Sequence, residues 1–236
     1  MSLNTVDLDD IQKKLHEKLR ESGWADKLKT FTLSSDFRDI LEILLQRSRD
    51  GKRFTPTMKQ VFRAFEECPY KDLRVVIIGQ DPYPHINVAD GIAFSCSNTD
   101  KVQPSLRYIF KALETTVYKD GYTWDPDLTH WANQGVLLLN CAFTTDVGVV
   151  GQHYMMWRPF LAFLLDMLWS QSGMIYVFMG KKAQDYMDSV PENNYKFAVS
   201  HPASAAYNKA EHWECDDVFN EINKILQENN GEIINW

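Results

Sequence analysis

Apolar residues recur at helical spacing through the first part of the chain. Leu8, Ile11, Leu15 and Leu19 share one face across residues 8–21, with Asp and Lys between them, and Phe37, Ile40, Leu41, Leu44 and Leu45 repeat the pattern across 36–48. Thr55-Pro56 reads as a cap followed by proline at the first helical position, opening a third helix through Val61, Phe62 and Phe65. The texture then changes to short apolar runs: Val75-Val76-Ile77-Ile78, Val136-Leu137-Leu138-Leu139, Ile175-Tyr176-Val177-Phe178 and the weaker Phe197-Ala198-Val199. Helix-patterned segments at 104–118, 155–171, 181–188 and 211–228 separate them. Continuous rather than alternating runs suit strands buried on both faces. The expected fold is therefore α/β, a central four-stranded parallel sheet flanked by helices with an N-terminal helical segment. One domain is expected over 1–236, with helices in 1–54 and a catalytic core in 55–236, since no internal repeat or low-complexity linker divides it.

Each apolar run ends in a polar or glycine-containing turn. The first enters Gly79-Gln80-Asp81-Pro82-Tyr83-Pro84, the second ends at Asn140, the third at Gly180-Lys181 and the fourth at Ser200-His201-Pro202. Ligand crevices of open parallel sheets lie beyond the carboxyl ends of the strands. If these runs are neighbours, Asp81, Asn140 and His201 converge, although Asn140 and His201 lie 59 and 120 residues beyond Asp81.

Such a set is a limited toolkit. Asp81 can orient a water or stabilise developing positive charge, and His201 can donate a hydrogen bond to a developing anion. Asn140 offers a donor and an acceptor together, matching the edge of an amide-like ring, and the aromatics Tyr83 and Phe94 can line or stack on a planar ligand. Together they suit cleavage between a planar heterocycle and a sugar through an oxocarbenium-like transition state. Taken singly, each has a plainer reading: Asp-Pro starts turns, Asn caps strand ends and aromatics fill cores.

Composition narrows the class. The 236 residues include no apolar stretch near the roughly 20 residues of a membrane span. The polar, acidic start MSLNTVDLDDIQKK resembles neither a signal nor a transit peptide, so a soluble cytoplasmic protein of a bacterial or phage-infected cell is expected. Cys68, Cys96, Cys141 and Cys215 are scattered, so reduced thiols are expected and no metal or other cofactor. The net charge of −7 runs against a nucleic-acid partner. Lys101, Arg107, Lys111, Lys181, Lys182 and Lys209 nevertheless flank the strand-end face, and can form a local positive stripe on an acidic body.

The motifs themselves resemble those of the family 1 uracil-DNA glycosylases. Gly79-Gln80-Asp81-Pro82-Tyr83 resembles the water-activating motif, and Gly91-Ile92-Ala93-Phe94-Ser95 the segment carrying the stacking aromatic. Gln103-Pro104-Ser105-Leu106 is similar to the DNA-compressing loop, the stretch from Trp131 to Asn140 to the uracil-reading strand, and His201-Pro202-Ala203-Ser204 to the leucine loop. The tail Ile234-Asn235-Trp236 also matches, so the resemblance spans about residues 55–236. It implies a base-excision enzyme that flips deoxyuridine out of DNA and hydrolyses its N-glycosidic bond, leaving an abasic site. Asp81 and His201 would be catalytic, with Asp81 positioning water and a neutral His201 holding uracil O2. Asn140 would read the uracil N3–O4 edge, Phe94 would stack, the Gln80 backbone would help hold O2, and Tyr83 would exclude thymine's methyl group. Pro104, Ser105, Ser204, Ala205 and Tyr207 are the expected DNA contacts. The implied partners are uracil-containing DNA, single- or double-stranded, and a proteinaceous inhibitor, with the enzyme acting as a monomer.

Four departures from the family pattern stand out. Pro84 and Asp90 replace histidines, altering the expected water-side rim, and Ala203 replaces a serine. Ala205-Ala206 occupy the place of the intercalating leucine, which predicts a relative preference for single strands unless Tyr207 supplies the wedge. The competing readings are an inactive homologue serving as a DNA-binding accessory protein, and a glycosylase for another base. An iron–sulfur glycosylase would need clustered cysteines, and a nucleotide-binding protein would need a glycine-rich phosphate loop.

Overall fold

The computed structural model describes residues 7–99, 101–119 and 121–236. The first six residues, on which part of the N-terminal reading rests, lie outside them.

The N-terminal periodicity becomes α1 (Leu8–Lys18), capped by the Asp7 side chain on the Asp9 N–H, and α3 (Ser35–Arg49), capped by Ser34 on the Phe37 N–H. Between them lies α2 (Trp24–Thr32), which the sequence reading passed over although Trp24, Leu28 and Phe31 fall at helical spacing and are buried. The helix expected at Thr55-Pro56 does not form there. Phe54–Thr55 is instead a two-residue strand, β1, antiparallel to β4 (Thr145–Asp146), and only after a 3-10 turn does a short α4 (Arg63–Glu67) follow. Backbone pairing with a segment about 90 residues away is a tertiary contact that local turn chemistry does not reveal.

The four apolar runs all become strands of one parallel sheet: β2 (Val75–Gly79), β3 (Val136–Asn140), β5 (Ile175–Met179) and β6 (Tyr195–Val199), in the order β3-β2-β5-β6. Strands β2, β3 and β5 are buried on both faces apart from the half-buried Asn140, as their continuous apolar sequence requires. The edge strand β6 is largely exposed, which matches its weaker signal. Helices α5 (Pro104–Leu113), α6 (Thr129–Ala132), α7 (Tyr154–Trp169), α8 (Lys181–Gln184), α9 (Pro202–Tyr207) and α10 (Val218–Glu228) complete the chain.

The helix expected over 211–228 starts only at Val218. Asp216 and Asp217 adopt left-handed backbone conformations, and the Trp213 indole donates to Ser200 O at 3.0 Å, tying this irregular segment under the end of β6. A cluster of buried aromatics joins the N-terminal helices to the rest. Phe31 lies 5.0 Å from Phe160 of α7 and Phe37 lies 5.5 Å from Phe62, while Phe143 lies 5.0 Å from Phe160. This packing fixes α7, whose first turn borders the site. At the other end, Trp236 is buried 5.0 Å from Phe219 and 5.3 Å from Trp131. No helix among the described residues is long and apolar enough to cross a membrane.

Candidate active site

The register Gly79↔Asn140 brings the ends of β2 and β3 side by side, and His201 arrives from the far side of β5. Two glycines make this convergence sterically possible. A Cβ on Gly79 would stand 2.6 Å from Asn140 Oδ1 and 2.9 Å from the Phe94 ring. A Cβ on Gly180, at the end of β5, would stand 2.8 Å from the His201 Cβ and would overlap the Gln80 amide. Gly180 also has a positive φ of 92°, which a larger residue would adopt only with strain.

The resulting cavity, about 700 Å³, is lined by Gln80, Asp81, Tyr83, Phe94, Asn140, His201, Pro104, Ser105, Ala206 and Tyr207 among others. Two of the expected DNA contacts fall outside this lining. Ser204 is exposed, with its hydroxyl turned back to His201 O at 2.7 Å, and Ala205 is buried. The reason is that His201-Pro202 opens a helix, so residues 202–207 alternate between buried and exposed faces, and Ala205 turns inward. Tyr207 at its end is 88% exposed. Of the six basic residues expected to flank the site, all are exposed and Lys182 lines the cavity itself.

Phe94 is held in an unusual backbone conformation, with a φ of 67°. The Tyr83 hydroxyl donates to its carbonyl at 2.9 Å, so the side wall and the stacking ring are tied together. Beneath them lies Asp90, which is not at a solvent-facing rim as its sequence position implied. It is fully buried, accepts from the Ile92 N–H at 3.1 Å, from the Ser97 N–H at 2.8 Å and from the Ser95 and Ser97 hydroxyls at 2.6 Å, and pairs with Arg63 Nη1 at 2.9 Å. A carboxylate this well satisfied braces the loop. Removing Arg63 alone would leave a buried unpaired charge, at a cost of about 3–5 kcal/mol.

His201 caps α9: its Nδ1 accepts from the Ala203 N–H at 3.1 Å. The neutral ring must therefore carry its proton on Nε2. Burial pushes its pKa down to about 4, so the ring is neutral near pH 7 and its Nε2–H remains a donor. It lies against Phe94, with ring centroids 5.7 Å apart. Because the folded value lies below the ordinary 6.5, the unfolded chain binds the extra proton more readily. The stability contribution of neutral His201 is thus complete above about pH 6.5 and is lost as pH falls towards about 4. Urea midpoints should fall through that window, and less steeply in His201→Gln. His153 and His16, also lowered chiefly by burial, add slope in the same direction, while Asp81, raised chiefly by burial, acts against it. An unchanged slope in His201→Gln would contradict the assignment.

Asp81 is held from outside its own motif. Its Oδ1 accepts from the Gly151 N–H at 3.1 Å and its Oδ2 accepts from the Tyr154 hydroxyl. Burial raises its pKa, and these two hydrogen bonds act in the opposite direction. Neither Gly151 nor Tyr154 was picked out from the sequence. The available signal was Gly148, Gly151 and His153 bunched immediately before the apolar periodicity of α7. All four cysteines are buried free thiols, and burial pushes those of Cys68 and Cys141 up to about 12.

Known proteins share this chain's sequence and fold over most of its length. The profile of the uracil DNA glycosylase superfamily matches residues 65–227. The uracil-DNA glycosylase of Acinetobacter baumannii (strain SDF) is 33% identical over 232 residues, covering 95% of each chain. That of Mycoplasmopsis pulmonis (strain UAB CTIP) is 34% identical over 221 residues, covering 92% of this chain and 98% of the relative. Among solved structures, mimivirus uracil-DNA glycosylase superposes with a TM-score of 0.83 at 27% identity, covering 94% of this chain and 88% of the other. A mimivirus UNG Y322L variant in complex with UGI has a TM-score of 0.79, also at 27% identity, over 90% and 87% of the two chains. The profile match over residues 65–227 and the similarity along almost the whole length mean that this chain belongs to the uracil DNA glycosylase superfamily.

Proposed function

We propose that this protein is a uracil-DNA glycosylase of family 1, hydrolysing the N-glycosidic bond of deoxyuridine in DNA. The observation that carries this reading is the meeting of Asp81, Asn140 and His201 at the carboxyl ends of β2, β3 and β6, around a cavity walled by Tyr83 and Phe94. In the proposed reaction, deoxyuridine leaves the base stack and its ring enters the cavity against Phe94. Asn140 pairs with the N3–H and O4 edge. As the C1′–N1 bond lengthens, its electron pair moves onto the base, and the His201 Nε2–H together with the Gln80 backbone holds the negative charge at O2. The Asp81 carboxylate faces the positive charge on the sugar and orients the water whose oxygen bonds to C1′. Asp81 takes the water's proton, uracil leaves as an anion that solvent protonates, and an abasic site remains. No metal enters this chemistry, and the whole chain acts as one unit, a monomer.

The Tyr83 wall fits uracil and excludes a 5-methyl group, while the cavity as a whole is larger than one pyrimidine and leaves room for the sugar and adjoining phosphates. The exposed Pro104 and Lys182, and the buried Ser105 that lines the cavity beside Pro104, are the proposed DNA contacts. A proteinaceous inhibitor is a proposed partner, supported by the mimivirus relative in complex with UGI.

Tyr207 is the proposed replacement for the missing leucine wedge. Its exposed ring stands at the mouth of the cavity, where Ala206 is small and Ala205 is buried. An apolar or aromatic side chain pushed into the vacated stack favours the flipped state in a duplex, but has no stack to fill in a single strand. Rates of uracil release from matched duplex and single-stranded oligonucleotides test this. Tyr207→Ala should slow duplex excision by about tenfold, the equivalent of a loss of about 1.4 kcal/mol, and leave single strands nearly unchanged. Equal effects on both substrates would reject the wedge.

A further inference from the structure

The loop after β4 is built around the Asp81 carboxylate. Gly151, at a φ of 75°, turns the chain so that its N–H reaches Oδ1, and three residues later the first turn of α7 brings the Tyr154 hydroxyl onto Oδ2. The position of that turn is set from beneath. His153, almost fully buried, is held between Thr144 Oγ1 at 2.9 Å and Asp146 Oδ1 at 3.1 Å, and the Trp157 indole donates to the same Thr144 hydroxyl at 2.7 Å. Asp146 is in turn paired with Arg47 of α3. A buried chain of polar contacts thus runs from the N-terminal helices to the start of α7. Pro84, two residues beyond the Asp-Pro step, has no side-chain donor to offer Asp81, so the contact comes from a different element.

We propose that Tyr154 is a positioning residue for Asp81: its hydroxyl fixes Oδ2 while the Gly151 N–H fixes Oδ1, so the carboxylate meets water and sugar in one orientation. A carboxylate rotating freely about its χ2 would spend much of its time with neither oxygen directed at the attacking water, and small misplacements at a reacting centre are expensive. Hydrogen bonds to the charged form also keep a buried carboxylate ionised. Tyr154 suits this task because burial beside Asp81 raises its own pKa far above the usual phenol range, so it stays a donor. Other titratable side chains lining the same space are Tyr83 and His85 in the loop of Asp81 itself, Cys141 after β3, His201 after β6, Tyr207 of α9 and Lys182 of α8. None of these makes a hydrogen bond to Asp81 among the described contacts.

This inference rests on the catalytic role proposed for Asp81, and the test separates the two. Single-turnover uracil release is measured for the full-length protein and for Tyr154→Phe, Asp81→Ala and the double variant, and the Asp81 carboxyl is titrated by NMR in the wild type and in Tyr154→Phe. Tyr154→Phe should slow release by about 10- to 100-fold, the range of one hydrogen bond to a charged group, and raise the Asp81 titration by about one pH unit. The His201 titration should not move. In the Asp81→Ala background the same substitution should change the rate by less than about twofold. An equal loss in both backgrounds, or an Asp81 titration unmoved in Tyr154→Phe, would overturn the inference while leaving the role of Asp81 intact. Release at the wild-type rate by Asp81→Ala would remove both.

Discussion

Replacing Asp81 with asparagine should slow uracil release on the order of 10³-fold while the protein stays folded. The amide keeps the shape and one acceptor oxygen, so the Tyr154 and Gly151 contacts can persist in part. What is lost is the negative charge facing the sugar cation and the ability to take the water's proton. The carboxylate's pKa is raised in the folded protein, chiefly by burial. A raised value means that the ionised form is disfavoured by folding, so above the ordinary carboxylate range Asp81 costs stability rather than supplying it. Asp81→Asn should therefore unfold at the same temperature as the wild type or slightly above it, even as activity collapses. Thermal unfolding alongside single-turnover release checks both halves. A rate within tenfold of wild type would show that the charge at this position is not central.

The second large effect concerns specificity. Tyr83→Ala should open the space beside the pyrimidine C5 and permit thymine release, lowering the uracil-to-thymine rate ratio by about 100-fold or more. A single methyl group in a tight pocket accounts for roughly 10–200-fold. Uracil release should fall as well, because the Tyr83 hydroxyl also ties down the Phe94 carbonyl in its left-handed conformation. Tyr83→Phe separates the two roles. It keeps the wall and loses the tie, so it should retain selectivity while losing some rate. Free-base analysis after incubation with uracil- and thymine-containing strands reads both outcomes. Unchanged selectivity in Tyr83→Ala would mean that another residue excludes the methyl group.

Much of this architecture was legible in the chain because burial on both faces leaves a direct mark. The runs at 75, 136 and 175 could be nothing but apolar, and β6, exposed at the sheet edge, left a correspondingly weaker one. Polar residues immediately after such runs stand at strand ends, so Asp81, Asn140 and His201 could be placed together from topology alone. What stayed hidden depends on contacts between distant segments. Thr55-Pro56 has the local chemistry of a helix start, but its backbone pairs with Thr145 and Asp146. Asp90 looked like a rim residue because only the fold reveals Arg63, Ser95 and Ser97 around it. Residues 211–217 carry no glycine or proline to announce the left-handed turn at Asp216 and Asp217. Tyr154 lies 73 residues from the carboxylate it touches, inside an aromatic-rich stretch that reads as the opening of a core helix. Ala205 is the mirror case, since motif alignment gave it a DNA-facing place that the helix geometry of α9 withdraws.

The acidic net charge ceases to oppose a DNA partner once the face is resolved. Phosphate binding depends on the charge near the groove, and Lys182 lines the cavity whatever the distant helices carry.

The central claim is tested most directly by incubating the purified protein with oligonucleotides that differ only in carrying uracil, thymine or cytosine at one position, and identifying the released base. The account predicts free uracil and an abasic strand from the uracil substrate alone, in both single-stranded and duplex form. Folded protein that binds uracil-containing DNA and releases no base from it would contradict the account, and would favour a catalytically silent, DNA-binding member of the superfamily.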